Sequence, residues 1–391
     1  MSKSKKPGEH ATRLSHAGRD PGRFHGFVNT PIYRGSTVLY PSFDSLVADD
    51  QEFSYGRLGT PTVVALQETL AELEGGHATL LTPSGLTAIT TAILSFVSSG
   101  DHILVSDSVY RPTRRFCETV LKRLGVTTTY YDPVIGGGIA KLLTDRTKLV
   151  FTESPGSQTF EMQDIPAIAA AAHTAGVELI MDNTWATPLY FKPFDHGVDI
   201  VVHAATKYIV GHADAMLGVI TMSETATAPV VKTHEILGLC PGPEDVYLAL
   251  RGLRTLGVRL QRHQETALGL AEWLSQRPEV ARVIHPARPD HPGHALWKRD
   301  FTGSSGLFAV VLKPASRKAL AAMLDGLELF GMGYSWGGYE SLILPFDPGG
   351  YRSATVWEAE GPALRIHAGL EDFEDLKADL DAGFGRLAGA R

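Results

Sequence analysis

The chain has 391 residues, 43% of them apolar and 20% charged, the balance of an ordinary soluble globular protein too long for one typical core. Its net charge of −7 offers no basic field to neutralise a phosphate backbone, which argues against a nucleic-acid partner. Two cysteines, Cys117 and Cys240, are too few for a disulfide framework or a four-cysteine zinc site, and the expectation is a reduced, cytoplasmic protein.

The first eight residues are charged but lead into no apolar stretch, so no secretory signal is expected. Residues 1 to about 25 are polar, with little periodicity, and are expected to form a flexible or partner-docked arm. Val63–Leu73 has helical spacing and stops at Gly75-Gly76, and Leu86–Val97 reads as a second helix closed by Ser98-Ser99-Gly100. Thr and Ser interrupt this longest apolar run, so no membrane span is expected. His102–Val105 and Leu149–Thr152 are short apolar strands. Ile165–Ala175 is an Ala-rich helix after Asp164, and Val177–Met181 and Asp199–His203 are two further buried strands. Residues 244–276 read as one long helix. Beyond it lie a strand at Leu307–Leu312, a helix at Lys318–Leu324, a Gly/aromatic loop at Gly331–Tyr339, a strand at Ala363–His367 and a closing helix from Asp372.

Alternating strands and helices predict an α/β fold with a mainly parallel sheet covered on both faces. The expected division is an N-terminal segment (1–59), a large domain (60–245) and a C-terminal domain (246–391) made of a linking helix and a smaller α/β unit. Ligands of such sheets sit beyond the carboxyl ends of the strands, where Glu153, Asp182 and Lys207 fall.

Asp182, ending Leu-Ile-Met-Asp, is costly at the end of a buried strand unless paired. A helix N-cap would explain it; so would a protonated pyridine nitrogen. A desolvated Lys207 amine would have a lowered pKa and could attack an aldehyde, although a solvated lysine is the commoner case. Ser84-Gly85-Leu86 precedes a helix, where bare amides make an anion site and a glycine admits close approach, or where Ser84 simply caps. Tyr110 follows a strand and could stack on a flat ring or merely pack. Arg57, beside Tyr55, suits a phosphate or a surface ion pair, and Arg365 in a late strand needs a carboxylate from a substrate or from the protein. Together these residues supply amine, ring counter-ion, stacking ring, phosphate nest and carboxylate clamp, the parts of a pyridoxal phosphate site. The alternative of a nicotinamide site at Gly331-Met-Gly333 is poor, because no strand-to-helix unit surrounds it. His173, His212 and His367 are expected to bond locally, not to bind metal.

From Tyr55 to Glu371 the chain resembles the Cys/Met-metabolism family of pyridoxal phosphate enzymes. The matching stretches are Ser54-Tyr-Gly-Arg57, Pro83-Ser-Gly-Leu86, Asp182-Asn-Thr-Trp-Ala-Thr-Pro188, Thr206-Lys-Tyr208, Gly211-His-Ala-Asp214, Leu253-Arg-Thr-Leu256 and Arg365-Ile-His-Ala-Gly-Leu-Glu371. The resemblance implies the aspartate-aminotransferase-like fold type I and a homotetramer built as a dimer of dimers, with Tyr55 and Arg57 reaching the phosphate in a neighbouring subunit. Glu153-Ser-Pro-Gly-Ser157, Trp336 within Tyr334–Ser341, and Ala204 look most like the bacterial β-lyase branch of the family. Ala204 stands where the wider family often has Ser. That leaves Thr206 with the Gly85 and Leu86 amides for the phosphate, and the proton shuttle falls to Lys207 or to Tyr110 if its pKa is lowered. Ser335 and Trp336 would wall the substrate pocket, with Arg365 on the α-carboxylate. The implied activity is β-elimination from cystathionine in methionine metabolism. Alternatives are cysteine or cystine lyase, γ-elimination or γ-synthesis, and a non-catalytic regulatory protein on the same fold.

Overall fold

A computed structural model describes residues 10–390, and the first nine residues of the expected arm lie outside the described part. Its continuation is not a free arm. His10–His16 is helical, Leu14 is buried in the core, and Arg254 Nη1 donates to the carbonyls of Leu14 (2.7 Å) and Ala17 (3.0 Å).

Seven strands form the first sheet: β1 (Ala78–Thr82), β2 (His102–Ser106), β3 (Thr127–Tyr131), β4 (Thr147–Glu153), β5 (Glu178–Asp182), β6 (Ile200–Ala204) and β7 (Gly218–Met222). Their order is β1-β7-β6-β5-β4-β2-β3. The five strands from β6 to β3 are mutually parallel, and β7 runs antiparallel between β6 and β1. The central strands read as continuous apolar runs because both faces are covered. Alternate residues divide accordingly. Ile103, Val105, Phe151, Ile180 and Val202 join the Gly85–Leu94 and Glu224–Ile236 helices on one face. Leu104, Val150, Met181 and Val201 meet the Ile165–Thr174 helix on the other. No helix among the described residues is long and apolar enough to cross a membrane.

The second sheet has the order β10-β11-β9-β8, all antiparallel, from β8 (Val280–Ile284), β9 (Leu307–Leu312), β10 (Leu342–Phe346) and β11 (Ala363–His367). Along β11, Leu364 and Ile366 enter the core shared with the Leu256–Ser275 and Phe373–Gly389 helices. Strand periodicity turns Arg365 and His367 to the opposite face, with Ala363, which packs in the core of the first sheet.

The long helix expected over 244–276 is two helices, Pro243–Leu253 and Leu256–Ser275. The break carries neither Gly nor Pro. It is held by Arg259, whose Nη2 donates to the Gly252 carbonyl and Nη1 to that of Tyr208, each at 2.8 Å. This side chain satisfies a helix-end carbonyl that the next turn would have taken.

Candidate active site

β4 and β5 end in register, so Glu153 and Asp182 lie side by side on adjacent strands. Asp182 accepts from the Thr184 amide (2.9 Å) and hydroxyl (2.5 Å), and Glu153 accepts from the Tyr110 amide (2.7 Å). Neither carboxylate has an ion-pair partner among the described residues. Burial raises both acids, and the Asp182 charge raises Glu153 further. Asp182 caps a turn rather than a helix, because the next helix begins only at Thr187.

Three residues past the end of β6 stands Lys207. Burial lowers its amine to about 8, helped by the charge of Arg365 and opposed by that of Asp182. The Nζ bonds Ser335 Oγ at 2.5 Å and lies 5.4 Å from the centroid of the Trp336 ring. Ser335 and Trp336 belong to a turn brought in from the second sheet. Arg365 Nη2 holds that turn by donating to the carbonyls of Gly333 (3.2 Å) and Ser335 (2.9 Å). Arg365 is buried, and among the described residues its Nε has no partner. No carboxylate among the described residues answers it.

Tyr110 stands at the start of the Arg111–Phe116 helix with its ring half exposed. Its hydroxyl is pushed up, by burial first and then by the charges of Glu153 and Asp182. The lowered pKa that would make it a base at neutral pH is therefore not met. Ser84 caps the Gly85–Leu94 helix through Thr87, as its simpler reading foresaw, and the first intrahelical bond is that of the Ala88 amide. The amides of Gly85 and Leu86 precede that bond and stay open. Gly85 has a reason of its own: a Cβ there would stand 2.5 Å from that of Ala204. The small residues at 85 and 204 let the helix start and the end of β6 touch. Thr206 Oγ1 accepts from the Leu217 amide (3.0 Å) and also reaches the Leu217 carbonyl (3.3 Å), so its hydroxyl is already engaged by the backbone.

Tyr55 and Arg57 do not join this cluster within one chain. Arg57 Nη1 donates to the Glu235 carbonyl at 3.2 Å and its guanidinium lies 5.7 Å from the Tyr55 ring centroid.

The model of the family described as Cys/Met metabolism PLP-dependent enzyme matches residues 11–385. The chain belongs to this family. It is 53% identical to a putative cystathionine beta-lyase of Rhizobium johnstonii, with 95% of each chain covered. It is 46% identical to the cystathionine beta-lyase MetC of Escherichia coli, over 96% of this chain and 98% of that one. A solved cystathionine gamma synthase of Xanthomonas oryzae, in complex with aminoacrylate and cysteine, superposes with a TM-score of 0.91 at 32% identity over 99% and 100% of the two chains. The sheet order and these likenesses give the fold type I of PLP-dependent enzymes.

As a PLP-dependent enzyme of this family, the chain carries groups that fit the cofactor. Two buried carboxylates without a counter-ion suit a ring-nitrogen cation, and an amine released by burial suits an aldehyde. Open helix-start amides suit a phosphate. The strand-end place of Glu153 is legible in the sequence, but its pairing with Asp182 is a matter of register. His173 and His212 bond locally, to Asp199 (2.9 Å) and to the Val210 carbonyl (2.8 Å).

Proposed function

We propose that the chain cleaves the β carbon–sulfur bond of L-cystathionine, giving homocysteine, pyruvate and ammonia. The observation that carries this reading is the convergence on Ser335. Its carbonyl is gripped by Arg365, whose Nε is unpartnered, and its hydroxyl by the Lys207 amine. A carboxylate-binding group and a base thus flank one short turn, as an α-amino acid requires.

Lys207 would hold the cofactor aldehyde, Asp182 its ring nitrogen and Tyr110 its ring face. Its phosphate would fall to the Gly85 and Leu86 amides, joined by Tyr55 and Arg57 of a second copy, and by Thr206 once its hydroxyl exchanges the Leu217 carbonyl for a phosphate oxygen. When bound, pyridoxal phosphate supplies an electron sink for charge developing at Cα. Arg365 binds the α-carboxylate through its free Nε and by exchanging its carbonyl contacts for a charged partner. The Lys207 amine, lowered by burial to about 8, takes the Cα proton at Nζ. Ser335 Oγ orients that nitrogen and receives a hydrogen bond once it is charged. Asp182 keeps its negative charge opposite the ring nitrogen. Trp336 walls the pocket and limits water around Nζ. Lys207 returns its proton to the departing sulfur or to the product carbon.

The oligomer follows from the same reading. Leu39 is 85% and Phe43 76% exposed in the segment that leads to Tyr55 and Arg57. Such apolar surface suits cover by a second copy, and a tetramer of paired dimers would bring Tyr55 and Arg57 to the neighbour's site.

Product analysis with cystathionine tests the activity. Pyruvate with homocysteine is expected, and 2-oxobutyrate with cysteine would refute β-elimination in favour of γ-elimination. The likeness to a gamma synthase makes that outcome worth measuring.

A further inference from the structure

The turn that carries Ser335 is gripped twice from β11. One grip is Arg365, on the carbonyls of Gly333 and Ser335. The other lies two residues along the same face: the Gly337 amide donates to His367 Nε2 at 3.1 Å. The turn needs a holdfast. Ser335 has a φ of 79°, a left-handed backbone that a serine adopts at a cost. Gly337 has a φ of 85°, and a Cβ there would stand 2.9 Å from the carbonyl carbon of Lys207. The turn therefore lies directly on the main chain of Lys207. A substrate carboxylate competes for the Arg365 grip, whereas nothing in the proposed reaction competes for the His367 grip.

The chemistry of His367 suits a permanent acceptor. It is fully buried, and its Nε2 is also 3.2 Å from the Gly338 carbonyl. One nitrogen cannot serve both groups. The Gly337 amide hydrogen points at Nε2 and has no other acceptor among the described residues, whereas the Gly338 carbonyl is the longer of the two contacts. Accepting from Gly337 puts the ring proton on Nδ1, which lacks a protein partner. His263, also fully buried, must donate from Nδ1 to the Ala368 carbonyl at 2.7 Å, which leaves its Nε2 as a spare acceptor. The two ring centroids are 5.2 Å apart, one ring with a donor to spare and the other with an acceptor. Burial holds both rings neutral: His263 is lowered to about 4, and His367 falls well below the usual histidine range, pressed also by His263, Arg365 and Lys207.

We propose that His367 is a positioning residue: by accepting the Gly337 amide it fixes the 333–338 turn and so keeps Ser335 Oγ on the Lys207 amine. This rests on Lys207 as the reactive amine of the proposed lyase, but its test does not need turnover. Full-length protein freed of cofactor is recombined with pyridoxal phosphate across about pH 6 to 10, and the initial rate of imine formation, followed at the isosbestic wavelength of the imine's own titration, gives the midpoint of Lys207 deprotonation. Ser335→Ala should lower that midpoint by about one pH unit, because the hydroxyl stabilises the ammonium more than the amine. His367→Ala should shift it in the same direction, and the double variant should shift it no further than either alone. His367→Gln, whose amide oxygen can accept from Gly337, should stay nearer the wild-type midpoint. A midpoint unmoved by either His367 substitution, or shifts in the double variant that simply add, would overturn the inference. Failure to release pyruvate from cystathionine would instead strike the lyase reading and leave this midpoint comparison standing.

Discussion

Two acidic clusters sit along the same edge of the first sheet, and they are wired in opposite ways. Asp107, just past β2, is fully buried and saturated. Its carboxylate is paired with Arg114 and accepts from the amides of Ser353 (3.0 Å), Ala354 (3.1 Å) and Thr355 (2.8 Å) and from the Thr355 hydroxyl (2.7 Å). Burial alone would raise this acid, but the bonds from Ser353 and Thr355 and the Arg114 charge more than reverse that, leaving it below the usual carboxylate range. Glu153 and Asp182, at the ends of β4 and β5, together accept three hydrogen bonds and have no ion-pair partner among the described residues, and both are raised. The contrast teaches how to separate a carboxylate that fastens the fold from one kept for a ligand. The first is given its donors by the protein; the second is left waiting for a charge.

Substitution should split the two clusters cleanly. Asp182→Asn removes the proposed ring counter-ion, and cystathionine turnover should fall by about 10²–10³-fold with the denaturation midpoint of the cofactor-free protein little changed. Asp107→Ala should do the reverse. It strands a buried Arg114 and unties residues 353–355, so urea unfolding should show a loss of about 3–5 kcal/mol, while the turnover of the protein that remains folded stays within a few-fold of normal. A large loss of stability from Asp182→Asn would make that residue structural and would erase the distinction.

Much of this edge was legible before any geometry. Asp182 and Lys207 declare themselves because charged residues at or just past the ends of apolar strands demand a partner, Arg365 because a guanidinium inside one does, and their separate stretches fit one family. Other features are invisible to sequence. The Glu153–Asp182 pairing depends on the register of β4 against β5. The break at Arg254–Thr255 is made by the side chain of Arg259, with no Gly or Pro to mark it. The antiparallel strand β7 and the edge strands β1 and β3 went unread, because β1 (ATLLT) and β3 (TTTYY) mix polar residues into short runs that need neighbours to become strands. In sequence Gly85 offers room for a ligand, whereas the contact that forbids a side chain there is with Ala204, remote in sequence.

The smallest expected effect is the most discriminating for the comparison. Glu153→Gln is isosteric, and its amide oxygen can still accept from the Tyr110 amide, so the change removes a charge and little else. In the cofactor-free protein the folded pKa of Glu153 is raised, which means that the native state binds this proton more tightly than the unfolded chain does. The stability it contributes is fully present below the ordinary glutamate pKa and is lost as pH rises through the folded value. The glutamine variant has no such loss. Relative to wild type it should therefore gain stability between mildly acidic and neutral pH, read as a growing difference in urea midpoint. Asp107→Asn should show the opposite slope: a depressed folded pKa contributes stability above the unfolded carboxylate value, lost only as pH falls through the folded one, so this variant is weakest relative to wild type at neutral pH and recovers toward acid. If both variants ran parallel with pH, the two clusters would be wired alike, and the open pair at the ends of β4 and β5 would lose its claim to be a ligand site.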